Sequence, residues 1–433
     1  MSATTTEAKR PAEPTSRFRV TGTARVLLIV AAVLVSLSAV RVLTGANQID
    51  SPGSLRAALT ATCPILLAAL GGLWAERAGV VNIGLEGQML LGTWGAAYFT
   101  YWYDPYVGLL GGILFGVVGG LVHAVATVTF GVDHIVSGVA LNIIALGLTT
   151  FLAEAFFADL NSEHGRGGPQ QLTGLDKPAS FTVPGISDAA NDLADKQWFV
   201  VSDLASFVAV VTTNISVVTI GVFVLLLATA YILWRTRFGL RLRSCGENPQ
   251  AAESLGVGVL LHKYVAVLIS GGFAGLGGAY LALVSSPGFN TNQTNGRGYI
   301  GLAAMIFGNW RPGGVLVGSG MFGYTDSLRL RDPDTIHALL LFVAFWLLVL
   351  GAWRVFKASR TTTALGRRSL FGQVGLLVAG IVFLLWYLLT DSVPRDLTSM
   401  TPYLATLLIL AFAAQRLRMP KADGQIYRKG SVG

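Results

Sequence analysis

The sequence predicts an all-α polytopic membrane protein, and three observations predict it. Apolar runs of about 20 residues recur along the chain, the length that crosses a bilayer core of about 30 Å. Hydrophobic residues make up 53% of the 433 and charged residues only 12%, half the share of about 25% found in soluble domains, and the mean hydropathy is +0.61. The basic residues gather in short loops and tails between the runs, the distribution expected of cytoplasmic segments. An abundance of glycine, 52 in all, suits closely packed membrane helices.

Residues 1–24 are polar and read as a disordered cytoplasmic tail. The apolar run that follows is long enough to span, unlike the short core of a cleaved signal peptide. Helices are expected over 25–44, 55–74, 107–130, 135–158, 214–234, 264–284, 335–354, 371–390 and 402–416. A further apolar stretch, 80–102, contains Asn82, Glu86 and Gln88 and closes on Tyr98, Phe99, Tyr101, Trp102 and Tyr103, an interfacial aromatic belt. Residues 159–213 form the longest polar stretch. There Asp159, Glu163, Asp176, Asp188, Asp192, Asp195 and Asp203 outnumber Arg166, Lys177 and Lys196, so it is read as an external loop. Arg235, Arg237, Arg241 and Arg243 place the loop 235–263 in the cytoplasm.

The region 299–328 is interrupted by Gly308-Asn309-Trp310-Arg311-Pro312-Gly313-Gly314. Such breaks are tolerated in a membrane where protein or a water-filled cavity satisfies the freed backbone. Counting both halves gives about 10–12 transmembrane helices over 25–420, with a cytoplasmic tail at 421–433 and both termini inside. One phrase recurs. Leu70-Gly71-Gly72-Leu73-Trp74 precedes Ile83-Gly84-Leu85 and Gly92-Thr93-Trp94; Leu276-Gly277-Gly278-Ala279-Tyr280 precedes Ile300-Gly301-Leu302 and Gly308-Asn309-Trp310. The two copies cross in opposite directions, which predicts an inverted-topology repeat with discontinuous helices, an architecture of transporters.

Several chemistries lack their residues. No lysine follows a glycine, so the phosphate-binding Gly-Lys-Ser/Thr motif is missing. Neither a Ser-His-Asp arrangement nor a His-Glu-x-x-His helix is recognisable, so no catalytic residue and no metal ligand is assigned. Cys63 lies in an apolar run and Cys245 in the basic loop, depths that disfavour a disulfide. The net charge of +8 sits in topogenic loops without interleaved aromatics, which argues against nucleic acid.

Within the basic loop, Asn248 is placed to cap a short helix, Pro249 to begin it and Gly256 to end it. The stretch Gly246-Glu247-Asn248-Pro249-Gln250-Ala251-Ala252-Glu253-Ser254-Leu255-Gly256 resembles the cytoplasmic coupling loop of ABC-importer permeases. Glu76-Arg77-Ala78-Gly79-Val80-Val81-Asn82-Ile83-Gly84-Leu85-Glu86-Gly87-Gln88-Met89 is similar to the signature of permeases in the branched-chain amino acid, ribose and nucleoside importer superfamily. Its nucleoside, or simple-sugar, branch is also resembled by Asp133-His134-Ile135-Val136-Ser137-Gly138-Val139-Ala140-Leu141-Asn142, by Gly296-Arg297-Gly298-Tyr299-Ile300-Gly301-Leu302-Ala303-Ala304 and by Met400-Thr401-Pro402-Tyr403-Leu404-Ala405-Thr406-Leu407. The likeness covers about 55–328 and 393–430. Residues 330–392 depart from it as an extra helical pair, and the N-terminal part and the outer loop are extended.

The resemblance implies a type II ABC importer fold and a permease subunit that moves nucleosides, or related simple sugars, across a bacterial inner membrane. Ribose, another simple sugar or a branched-chain amino acid is the near alternative. It implies a separate ATPase with two nucleotide-binding halves, which binds ATP and Mg, a second homologous permease and an external substrate-binding lipoprotein. It places Arg243, Gly246, Glu247, Asn248, Pro249, Ala251, Ala252 and Gly256 in ATPase coupling. Asn82, Glu86, Gln88 and Asn142 are candidate pathway residues. For Glu86 two roles stay open: hydrogen bonding to a passing substrate, or holding a broken backbone by accepting its amides, with the second preferred. Asn142 is equally open to a polar helix contact. His134 is read into a cytoplasmic turn, Arg297 at the outer end of the broken helix, and Trp310, Arg311 and Pro312 as a tight turn. An ion-coupled secondary transporter would account for the repeat and for Glu86, but not for the exposed Gln-Ala-Ala loop.

Overall fold

The computed structural model describes residues 22–164, 170–328, 333–359, 365–394, 400, 417–428 and 430. The expected helix over 402–416 and most of the N-terminal tail lie outside the described residues. The helices in chain order are α1 (Gly22–Thr44), α2 (Pro52–Arg77), α3 (Leu85–Trp102), α4 (Pro105–Ala124), α5 (His134–His164), α6 (Ile186–Asp195), α7 (Val201–Thr212) and α8 (Val217–Arg235). Then follow α9 (Arg237–Glu247), α10 (Pro249–Ser254), α11 (Val259–Tyr280), α12 (Arg297–Phe307), α13 (Pro312–Leu328), α14 (Pro333–Ser359) and α15 (Leu365–Leu389). A π-helical turn extends α4 through Val125–Thr129 and another extends α11 through Leu281–Ser285.

Among the described residues, six stretches are long and apolar enough to cross a membrane: Pro52–Arg77, Pro105–Thr129, His134–Ala158, Val217–Arg235, Val259–Ser285 and Thr335–Phe356. The chain is an all-α, multi-pass membrane protein. Its helix starts are written locally. Ser51 caps α2 ahead of Pro52, and Asp104 caps α4 ahead of Pro105, accepting from the Tyr106 and Val107 amides at 2.7 and 3.1 Å. Asp133 does the same for α5 at Ile135 and Val136. Each carboxylate or hydroxyl satisfies amides that the first turn leaves unpaired.

The bundle centres on α2 and α11. In each, 78% of the apolar stretch is buried, against 33–39% for α4, α5, α8 and α14; the latter therefore keep an apolar side for lipid or another chain. The two central helices run antiparallel. A Cβ on Gly71 would lie 2.7 Å from the Ser270 carbonyl, and one on Gly277 would lie 3.2 Å from the Pro64 carbonyl. Each Leu-Gly-Gly phrase thus packs at an equivalent place on the opposite central helix, a pseudo-two-fold relation. The flanking helices repeat the pattern: α3 packs on α11 and α4 as α12 packs on α2 and α13, and α4 packs on α11 as α13 packs on α2. This is the inverted repeat expected from the recurring phrase. The α4–α11 contact is backbone to backbone, because Gly112, Gly116 and Gly120 on α4 face Ala279, Gly275, Gly271 and Val267 on α11. Small residues at a spacing of four permit that approach.

Residues 170–216, which fall mostly within the stretch 159–213 expected as a polar loop, are a folded insert. Strand β1 (Gln171–Thr173) pairs antiparallel with β4 (Gly288–Asn290), and β2 (Ser180–Phe181) with β3 (Ile215–Ser216). Helices α6 and α7 pack together between them. Arg41 of α1 ties the insert down. Its guanidinium reaches Asp203 at 3.1 Å and Asp50 at 3.6 Å, all three being buried. Composition signalled the acidic residues here, but not that one arginine from a distant helix would hold Asp203 together with Asp50, which lies between α1 and α2. The stretch read as an extra pair folds as α14 and α15, antiparallel to each other: Gly351 meets Leu377, Gly380 meets Leu348, and His337 stacks on Tyr387. The pair leans on α1, where Trp346 donates to the Ser36 hydroxyl at 3.0 Å.

Candidate functional site

Two features converge at the heart of the repeat. α12 has 11 residues, about 17 Å of helix at 1.5 Å per residue, roughly half a bilayer core. α3 starts only at Leu85, after the non-helical segment 78–84 that follows α2. The first turns of α3 and α12 meet: a Cβ on Gly298 would lie 2.6 Å from both N and Cα of Glu86. Two helix N-termini, each partly positive, therefore face one buried carboxylate. Glu86 Oε1 accepts from the Thr294 hydroxyl at 2.6 Å and the Gly296 amide at 2.8 Å, and Oε2 accepts from the Gly298 amide at 2.7 Å. This is the cap of α12, supplied by the opposite half of the repeat.

The other candidates in this region complete the same joint. Asn142 Oδ1 accepts from the Gly87 amide at 2.7 Å, while its Nδ2 donates to the Ile83 carbonyl and the Tyr299 hydroxyl at 3.0 and 2.9 Å. Asn82 Nδ2 donates to Gln88 Oε1 and Ser270 Oγ at 3.0 and 2.8 Å, and Gln88 Nε2 returns to Asn82 Oδ1 at 3.3 Å. The structure brings all four residues together, each buried and engaged with its own chain.

The segment 78–84 is held by side chains that sequence reasoning did not assign to it. Lys263 Nζ donates to the Gly79 carbonyl at 3.2 Å, His123 Nε2 lies 3.0 Å from the Val81 carbonyl, and His134 Nδ1 accepts the Val81 amide at 3.2 Å. Buried backbone outside a helix requires such partners. The available signal was a lysine and two histidines beside apolar runs, residues that are costly there unless engaged. Arg297, expected near the outer end of the broken helix, begins α12 and pairs with Asp326 of α13 at 2.8 Å.

The second feature is the arginine-rich face. Thr236 caps α9, accepting from the Gly239 amide at 3.1 Å, and Asn248 caps α10, accepting from the Ala251 amide at 3.0 Å. Pro249 opens α10 and Gly256, at φ +79°, turns the chain out of it. Glu247, Asn248, Ala251 and Gly256 are exposed, and Pro249 is half-buried. Gly246 and Ala252 instead face inward. Gly246 is wedged against the backbone from Arg77 to Gly79, where no side chain fits, and Ala252 packs with Cys245 and Val259. Arg243 lies over the Trp234 ring, 5.4 Å from its centroid, as Arg77 does at 5.5 Å. Beside α10, Leu255 is 85% exposed, an apolar tip that nothing in the sequence separates from a core leucine. Burial pushes the nearby Cys245 thiol up to about 11, so it stays protonated and inert; it and Cys63 are free thiols.

The turn after α12 closes on this face. Asn309 and Trp310 take positive φ, and Trp310 Nε1 donates to Glu76 Oε2 at 2.6 Å. Arg77 donates to the Trp310 carbonyl at 2.6 Å. The end of α2 and the break between α12 and α13 are therefore one unit, and both adjoin α9.

Residues 54–350 match the family described as the permease component of the branched-chain amino acid transport system. The chain belongs to this family. Among curated relatives, it is 32% identical to the nucleoside ABC transporter permease protein NupC of Lactococcus lactis subsp. cremoris (strain MG1363), over 84% of this chain and 93% of the relative. It is 36% identical to the guanosine ABC transporter permease protein NupQ of Bacillus subtilis (strain 168), over 63% and 81%. It is 33% identical to a putative glucose ABC transporter permease protein, TsgC13, of Haloferax volcanii, over 66% and 80%. No solved structure matches the chain. As a permease, this chain is a transport subunit, and the described residues hold no cluster of metal-binding side chains.

Proposed function

We propose that this permease carries nucleosides through a bacterial cytoplasmic membrane as one subunit of an ATP-driven importer. Its arginine-rich face would lie in the cytoplasm with both termini. The observation that carries the coupling role is the capped helix α10, presented with exposed Leu255 between two membrane-crossing helices, α8 and α11. A short exposed helix of this kind is an anchor for a groove on an ATPase. That ATPase, with two nucleotide-binding halves, would bind the ATP and Mg; a second permease and an external binding lipoprotein would complete the assembly. Glu247, Asn248, Pro249, Ala251 and Gly256 would meet the ATPase, while Gly246 and Ala252 would set the loop against the membrane core, with Arg243 beside them.

The nucleoside assignment is supported by the names of the lactococcal and Bacillus relatives. A simple sugar is the second reading, supported by the haloarchaeal relative. In this scheme Asn82, Glu86, Gln88 and Asn142 form the scaffold of the discontinuous helices. Uptake of labelled guanosine or uridine, challenged with excess ribose, glucose or leucine, tests the substrate; competition by a sugar alone would overturn the nucleoside reading. Uptake that survives ATP depletion but collapses with an uncoupler would overturn the ATP-driven reading.

A further inference from the structure

The segment 417–428 near the C-terminus runs across the arginine-rich face and touches the α9–α10 joint, the α12–α13 break, the exit of α2 and the turn before α5. The Ala422 amide donates to the Gly246 carbonyl at 2.8 Å, at the start of the α9–α10 joint. The Arg418 amide donates to Asn309 Oδ1 at 2.7 Å, in the break between α12 and α13. Gly79, at the exit of α2, leaves only 3.1 Å between a Cβ and the Ala422 carbonyl. Gly131, in the turn before α5, leaves 3.2 Å to Ile426 Cγ2. Tyr427 packs beside Cys245, Ala252 and Val259. Cavities of about 310 and 300 Å³ flank it, lined by α10 on one side and by Glu253 to Leu261 on the other.

One contact reaches deeper. The carboxyl oxygens of Asp423 are buried and face the carboxyl of Glu76, which already accepts the Trp310 indole. Lys263 and Arg77 are the cationic groups nearby. Lys263 also holds the Gly79 carbonyl at 3.2 Å, so the segment 78–84 and the tail share one anchor. The end of α2 joins the same turns directly, through Arg77 on the Trp310 carbonyl and the Arg77–Gly79 backbone against Gly246, and the tail lies across that junction.

We propose that residues 417–428 are a coupling strap, positioned by Ala422 and Asp423, that carries displacement of α9 and α10 to the two broken helices. The inference rests on the ATPase-coupling reading above. When the ATPase moves α10, the strap moves with Gly246 and pulls on the Glu76–Trp310 contact and on the segment 78–84. ATP hydrolysis then tracks the state of the helix joint at Glu86.

The test uses the intact complex of this permease with its ATPase, second permease and binding protein, reconstituted in liposomes. Ala422→Pro removes the amide donated to Gly246, and Asp423→Arg places a cation against Lys263 and Arg77. Both are expected to keep basal ATP hydrolysis while stimulation by loaded binding protein and uptake fall at least fivefold. Stimulated hydrolysis and uptake at wild-type levels in both variants would overturn the strap. Hydrogen exchange on the unmodified complex probes the strap without a variant: amides of 418–426 should change protection between nucleotide-free and ATP-trapped states. Unchanged exchange there, alongside changed exchange in α10, would refute the proposal. If the ATPase fails to co-purify with the wild-type chain, the coupling reading itself falls; if it co-purifies and the strap is indifferent, only the strap does.

Discussion

Replacing Glu86 with glutamine separates the two roles that the sequence left open for this residue. The wild-type carboxylate accepts three hydrogen bonds, from Thr294, Gly296 and Gly298, at 2.6 to 2.8 Å. Glutamine keeps one oxygen, enough for Thr294 and Gly296, but turns an NH₂ toward the Gly298 amide, donor against donor. A buried donor without an acceptor costs about 1–3 kcal/mol, and loss of the negative charge at two helix N-termini adds up to about 2 kcal/mol. The expected destabilisation is about 2–4 kcal/mol, and alanine, which strands all three donors, should cost more. By the entropy scaling of soluble domains, about 2.1 cal/mol/K per residue, a chain of 433 residues loses about 1 °C per kcal/mol, so Glu86→Gln should melt about 2–4 °C below wild type. The assay is thermal unfolding of the detergent-purified permease followed by gel filtration, with uptake measured in parallel. A variant that melts like wild type but changes its substrate preference would refute the scaffold role and restore the pathway role.

Leu255→Asp should leave the permease folded, since the side chain is 85% exposed. It should weaken ATPase co-purification about 10- to 100-fold, the value of burying one leucine at about 1.5–3 kcal/mol; unchanged co-purification would remove α10 from the interface. Gly116→Ala drives a methyl into the Gly271 carbonyl and the Gly275 backbone and should cost about 1–3 kcal/mol. Gly147→Ala, in open space on α5, should be neutral; equal behaviour of the two in a melting assay would contradict the close α4–α11 contact. Asp50 is pushed up from 3.8 to about 8, first by burial and then by the hydrogen bond and charge of Asp203, against the pull of Arg41. One arginine facing two buried carboxylates leaves one excess negative charge, which a proton on Asp50 neutralises. Its raised value means that the folded chain keeps a proton that the unfolded chain loses above about pH 4. Its contribution to stability therefore falls as pH rises from about 4 and levels off above about 8. The melting temperature should decline across that window in wild type and less steeply in Asp50→Asn; equal slopes would show that the Arg41 cluster does not carry the titration.

How much was legible from sequence differs from element to element. The bundle was legible because hydrophobic length and charge placement are local properties. The runs at 55–74, 107–130 and 264–284 became α2, α4 with its π turn, and α11 with its π turn; α2 and α11 are about six residues longer than the apolar core that announced them, and α4 matches its run almost residue for residue. The caps at Asn248 and Gly256 were legible for the same reason, since a cap is a contact across three residues. The insert at 170–216 was not. Its apolar helix α7 has 12 residues, too short to stand out as a span, and its anchors lie on α1 and in β4. Nor could sequence show that Gly246 is buried while Glu247 beside it is exposed.

The sequence by itself determined that this is a multi-pass helical membrane protein with a repeated phrase, a broken region and a basic loop. Each of those depends on composition and spacing along the chain. Only the tertiary structure showed which groups meet the Glu86 carboxylate. A carboxylate in an apolar run needs partners, and whether they are a substrate or amides of its own chain depends on where residues 294–298 come to rest, more than 200 positions away. The same holds for Lys263 on the Gly79 carbonyl and Asp423 against Glu76. Burial makes unpaired polar groups costly, so the fold pairs them, and the pairing is a property of packing that no local pattern contains.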